Sequence, residues 1–150
     1  MKPLFVLMGS FLVTLLLLEV SRGKIDYPLA GRIAMSVMLA FTAMGHFVFT
    51  GGMAAMVPNF FPAKTGIVYL TGALEILFAI GLLIPGYKTI VGWGLILFFL
   101  LVLPANIKAA MEHVNYQTGG ADGDGPGYLW FRIPFQALLI AWVFFSAIKK

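Results

Sequence analysis

The chain has 150 residues, 61% of them hydrophobic and only 11% charged, where an ordinary soluble domain is about 25% charged and 45–50% apolar. That composition belongs to an integral membrane protein whose first partner is the lipid bilayer. The net charge of +4 comes from ten Lys and Arg scattered singly between apolar runs, which excludes a nucleic-acid face, and the absence of cysteine excludes disulfides, thiolate nucleophiles and Cys-ligated metals.

Leu4 to Val20 is an apolar run at the short end of what crosses a hydrocarbon core. A signal peptide is the rival reading, but Glu19, Val20, Ser21 and Arg22 stand where a small-x-small cleavage site would be, so the segment is expected to persist as a helix. Ser21 to Tyr27 is a polar loop, and Pro28 opens the second span, Leu29 to Thr50, at a position where proline costs no hydrogen bond. Thr50 to Gly66 is too broken by Gly and Pro for a straight helix and too apolar for a solvated loop, so an interfacial segment is expected, with Phe60 and Phe61 at headgroup level. The third span is Ile67 to Ile84, closed by Pro85 and Gly86. The fourth runs from Thr89 to Met111, with Pro104 bending it just before Asn106. Glu112 to Gly127 is a polar, Gly-rich loop in which Asp122-Gly-Asp124 lacks the spacing and the closing Glu of a calcium loop. Tyr128 to Ile148 is the fifth span.

Five crossings place Arg22, Lys24, Arg32, Lys88, Lys149 and Lys150 on one side, and Lys2, Lys64, Lys108 and Arg132 on the other. The positive-inside rule then makes the first side cytoplasmic, with the N-terminus outside and the C-terminus inside. The expected architecture is all-α: a transmembrane bundle of five helices that forms one membrane domain over residues 1–150. No repeat or soluble domain interrupts it.

Glu75 is the one carboxylate in the middle of an apolar span, and such a group costs several kcal/mol unless it faces the protein interior. At 1.5 Å per residue it lies roughly 12 Å below the outer end of its run; Gln136 is similar, and His46 and Asn106 lie about 6 to 8 Å deep. Thr42 precedes His46 by one turn, and Arg132 precedes Gln136 by one turn. These residues are therefore candidates for one polar pocket, in which a neutral Glu75 donates a hydrogen bond to Asn106, His46 or a ligand carbonyl. Arg132 reaches inward only if it forgoes snorkelling to the headgroups, the cheaper choice. On the third span, Val68, Gly72, Glu75 and Ala79 share a face on which Gly72 and Ala79 admit a neighbouring backbone. The bland alternative is an interhelical tie worth about 1 kcal/mol per bond. One His and one Glu are too few ligands for a metal site, and no catalytic triad, nucleotide loop, haem ligand pair or flavin motif is present.

Gly45-His46-Phe47, Met56-Val57-Pro58 with Phe61-Pro62, Tyr69-Leu70-Thr71-Gly72 leading to Glu75 and to Gly81-Leu82-Leu83-Ile84-Pro85, Pro104-Ala105-Asn106-Ile107, and Arg132-Ile133-Pro134-Phe135-Gln136 follow one another in this order. This succession resembles the DoxX-like membrane proteins from about Ala30 to Lys150. The resemblance implies a four-helix core over residues 29–150, with the N-terminal helix and loop of residues 1–28 outside it, in the bacterial inner membrane with both core termini cytoplasmic, and adds Tyr69 to the candidate site. It also implies either a subunit or assembly factor that binds another membrane protein or its own kind, or a quinone-linked oxidoreductase component with an apolar small molecule at the polar cluster. Without cysteine, a redox role has to use quinone or a partner's cofactor.

Overall fold

The computed structural model describes residues 1–149; Lys150, counted above with the inner-end charges, lies outside them. Among the described residues there are six α-helices: α1 (Lys2–Arg22), α2 (Tyr27–Val48), α3 (Thr50–Met56), α4 (Lys64–Leu83), α5 (Lys88–Met111) and α6 (Leu129–Val143). A 3-10 turn (Pro126–Tyr128) leads into α6, and a π-helical turn (Phe144–Ile148) ends it. Five of these units are long and apolar enough to cross a membrane, and the fold is an all-α helical bundle.

Local sequence sets the helix ends. Asp26 caps α2 by accepting from the Leu29 amide at 2.9 Å, with Pro28 in the first turn, while Gly23 closes α1 in the left-handed conformation. Pro104 and Pro134 lie inside α5 and α6 without ending them. Neither proline can donate to the carbonyl one turn earlier, Leu100 and Trp130 respectively, so each helix carries a local gap in its ladder.

Successive spans run antiparallel. At one end the Thr89 hydroxyl meets the Ala147 carbonyl at 3.3 Å and the Trp142 indole donates to the Gly31 carbonyl at 3.0 Å. At the other, α3 lies against the 112–127 loop. The short connections after α1 and α4 therefore share one end with the C-terminus, and the longer ones share the opposite end.

The most buried helix is α2, wedged between α1 and α4 and touching α6. Small residues (Ala30, Gly31, Ala34, Ser36) let the neighbours approach, and Met35, Met38 and Leu39 fill the centre. The Ser36 hydroxyl donates to the Ala79 carbonyl at 2.8 Å, a buried tie between α2 and α4. Helix α1 buries only Leu7, Thr14 and Leu18. Leu7 nonetheless enters the same core as Met38 and Leu139, so the N-terminal half of α1 is an integral part of the bundle.

The segment from Thr50 to Gly66 forms no straight helix, but its first part, Thr50–Met56, is the short helix α3 despite Gly51 and Gly52. Two tertiary contacts override propensity. The Lys108 ammonium donates to the carbonyls of Ala55 at 2.9 Å and Val57 at 3.0 Å, which satisfies the end of α3. A Cβ on Gly52 would lie 2.0 Å from the Tyr116 carbonyl oxygen, so only glycine lets the loop rest on the helix. Phe60 and Phe61 are exposed beyond it.

Candidate functional site

The buried residues of α4 are Val68, Gly72, Glu75, Ala79 and Leu82, a stripe at three- and four-residue steps that continues the predicted face. This stripe packs on α2, where a Cβ on Gly72 would stand 2.8 Å from the Cβ of His46. That close approach carries the imidazole to Glu75, with Nε2 3.5 Å from Oε1. The other ring nitrogen of His46 lies 3.2 Å from the Val68 carbonyl and 3.0 Å from the Thr71 hydroxyl. A carbonyl can only accept, so the tautomer carrying its proton on Nδ1 satisfies this contact. Nε2 then meets Glu75 either as an acceptor of the carboxylic proton or as the second N–H of an imidazolium, and one proton serves the contact in either case.

The second carboxyl oxygen, Oε2, is buried without a hydrogen-bond partner. It belongs to a chamber of about 60 Å³ bordered by Glu75, Thr42, Gln136, Arg132 and apolar residues of α2, α5 and α6, with Pro3 of α1 at its edge. That volume admits a few waters at roughly 10–15 Å³ of probe space each. Thr42 spends its proton on the Leu39 carbonyl at 3.1 Å. Gln136 is buried, and its amide donates to the carbonyl of Phe99 across the α5–α6 interface. The polar chamber is thus closed by side chains from α2, α4 and α6 and by a backbone acceptor on α5.

Three expectations are corrected. Asn106 does not reach Glu75: its amide donates to Val102 of its own helix at 3.1 Å and borders a second, larger cavity, the outer cavity, toward the end of the bundle that carries the 112–127 loop. On α5 the chamber is bordered by Phe98, Phe99 and Val102, and Asn106 stands one turn beyond Val102, roughly 6 Å at 1.5 Å per residue. Tyr69 is exposed and stacks on Phe47 at a centroid distance of 5.8 Å, outside both cavities. Six residues before Glu75 is roughly 120° away around a helix, which takes Tyr69 off the buried stripe. Arg132 does not snorkel. Its Nε is fully buried, its guanidinium carbon lies 6.0 Å from the Phe135 ring centroid, and its side chain borders both the chamber and the outer cavity.

Thr71 is the residue missed as a site member. It sits one turn before Glu75 on the same stripe, and that spacing is the signal that would have found it. Its hydroxyl anchors both the His46 ring and the α4 backbone at Ile67, 3.0 Å away.

Gln136→Leu is expected to lower stability by about 1 to 3 kcal/mol, because the Phe99 carbonyl loses its donor and the chamber a polar wall. Asn106→Leu, which releases only a carbonyl of its own helix, should cost less. Thermal unfolding of the two variants in the same detergent checks the order; Gln136→Leu melting at or above wild type would remove Gln136 from the site.

No curated protein and no solved structure matches the chain. Residues 35–147 match a family described as a domain of unknown function, DUF8561, and by the extent of that match the chain belongs to this family.

Proposed function

We propose that the protein is a small multi-pass subunit or assembly factor of a membrane complex, related to the DoxX-like proteins that it resembles. The size of the chamber carries this reading. Ligand pockets run to about 300–1,000 Å³, and about 60 Å³ beside Glu75 suits interhelical hydrogen bonding rather than a quinone head. The polar residues then hold α2, α4, α5 and α6 in one arrangement, and the apolar helix faces meet lipid and a partner membrane protein. A quinone-linked oxidoreductase component is the second reading, and it requires the chamber to widen several-fold.

Gentle solubilisation, affinity purification and analysis of both proteins and extractable lipids tests the choice. A stoichiometric membrane-protein partner without quinone supports the subunit reading. Stoichiometric quinone without a protein partner overturns it.

In this reading the chain sits in a bacterial inner membrane with its N-terminus outside and its C-terminus cytoplasmic. The support is the cluster of Arg22, Lys24, Arg32, Lys88 and Lys149 toward one end. Single cysteines replacing Lys24, Lys88 and Asp122 in this cysteine-free chain provide the check. An impermeant thiol reagent applied to intact cells should label Asp122→Cys and spare the other two. Labelling of Lys88→Cys and not Asp122→Cys would invert the orientation.

A further inference from the structure

The outer cavity, about 250 Å³, is a separate feature from the Glu75 chamber, and Arg132 is the one residue that borders both. Its floor is Arg132 with Asn106 and Tyr128; its rim is the 112–127 loop, which contributes Asn115, Asp122 and Asp124. The loop is a built structure. The Asn115 amide donates to the Gly120 carbonyl at 2.8 Å, and the Gly123 amide to the His113 carbonyl at 2.7 Å. It rests on α3 at Gly52, and the Lys108 contacts hold α3 in turn.

The charges of this cavity are unbalanced in position. A guanidinium keeps its proton and carries five N–H donors; among the described residues Arg132 forms no ion pair, the two pairs being His46–Glu75 and Lys108–Glu112, and what faces it is the Tyr128 side chain, which accepts a hydrogen bond, and the more distant charge of Glu75. Its buried Nε has no hydrogen-bond partner. Asp122 and Asp124, at the other side of the opening, likewise lack a cationic partner among the described residues, and Asp122 accepts only a long 3.4 Å bond from Thr118. One cavity therefore presents a buried cation at its floor and two carboxylates at its rim, with amide and phenol groups between. A ligand with a single charge would satisfy one end and be repelled by the other.

We infer that this cavity is a binding site for a phosphate-and-ammonium zwitterion of headgroup size, with the phosphate on Arg132 and the ammonium toward Asp122 and Asp124. Arginine suits phosphate because its planar donors match the oxygens in pairs. The cavity opens at the end of the bundle where Trp130, 87% exposed, and Phe60, 79% exposed, mark the interfacial belt. A phosphatidylethanolamine headgroup and free phosphoethanolamine carry this chemistry equally. The inference does not rest on the subunit reading: it shares only Arg132 with the chamber and needs no protein partner.

The test is binding of short-chain phosphatidylethanolamine, short-chain phosphatidylglycerol of the same acyl length, and phosphoethanolamine to the full chain in detergent, measured by calorimetry or native mass spectrometry. Wild type should prefer the ethanolamine lipid to the glycerol lipid by about tenfold, and Arg132→Gln should weaken its binding by about tenfold, each a change of roughly 1.4 kcal/mol. Asp122→Asn combined with Asp124→Asn, both at exposed loop positions, should abolish the preference while leaving the fold intact, so the inference stays testable if Arg132→Gln does not fold. Phosphoethanolamine binding as tightly as the lipid identifies a free solute as the ligand; binding by the lipid alone identifies a headgroup. Equal affinity for the two lipids in wild type, or no saturable binding of either ethanolamine compound, overturns the inference.

Discussion

Gly72→Leu is expected to be among the most damaging single substitutions in the chain, costing about 3 kcal/mol or more, the upper part of the range for overpacking. A Cβ at this position would already stand 2.8 Å from the Cβ of His46 and 3.3 Å from the Phe47 ring. The first of these atoms is fixed to the α2 backbone, so the side chain cannot swing aside and the helices have to part. Parting them breaks the His46–Glu75 contact and strains the Ser36–Ala79 bond lower on the same interface. Gly9→Leu is the control: a Cβ there meets nothing within 4 Å, and the gain in helix propensity relative to glycine makes it neutral or mildly stabilising. Thermal unfolding in one detergent compares the two. A Gly72→Leu protein that melts within a degree or two of wild type would show that the α2–α4 approach is not a determinant of the fold.

The position of this interface was readable before the structure because it depends on one helix at a time. Val68, Gly72, Glu75 and Ala79 recur at the helical period, and a carboxylate in an apolar span has to face inward; the buried stripe of α4 follows both constraints. What failed depended on two helices. Depth along a span places a residue in a layer but does not choose its partner, and it depends on where each helix starts. Helix α4 begins at Lys64, a turn before the apolar run, so Glu75 lies deeper than expected relative to Asn106 on α5. With Glu75 out of reach, the Asn106 amide turns to Val102. Arg132 was misjudged for a different reason. Snorkelling is the default only where nothing covers the helix end, and here the 112–127 loop folds over α6 and supplies polar walls that keep the guanidinium inside. The sequence shows that loop only as polar and Gly-rich, because its order rests on glycines that meet backbone atoms of other segments, such as Gly52 against Tyr116.

The family match begins at residue 35, so α1 lies outside the matched region, yet it contributes Leu7 to the core and Pro3 to the edge of the chamber. The polar site is therefore completed by a helix beyond the family domain. A chain lacking α1 would expose the chamber between α2 and α6 to lipid, a further reason to treat all five spans as one unit.

Glu75→Ala is expected to cost about 3 kcal/mol, while Glu75→Gln stays within about 1 kcal/mol of wild type, a difference that follows from the 3.5 Å contact between Glu75 and His46. Alanine removes the partner of Nε2 and enlarges the chamber of about 60 Å³ beside it, so the lost contact and the added cavity both count against it. Glutamine keeps the volume and places an amide N–H where the carboxylic proton would be. It can donate to Nε2 while His46 holds its other proton toward the Val68 carbonyl. If the contact instead needs two opposite charges, glutamine removes one of them and leaves an imidazolium in an apolar layer, and its cost approaches that of alanine. A double-mutant cycle with His46→Ala isolates the pair: coupling of about 1 kcal/mol or more is expected for side chains in one buried network. Partner capture by the same variants joins stability to function. In the subunit reading, Glu75→Gln retains the co-purified partner and Glu75→Ala loses it together with the fold. A well-folded Glu75→Gln protein that has lost function would show instead that the proton between Glu75 and His46 moves during its work, and the subunit reading would give way to the redox alternative.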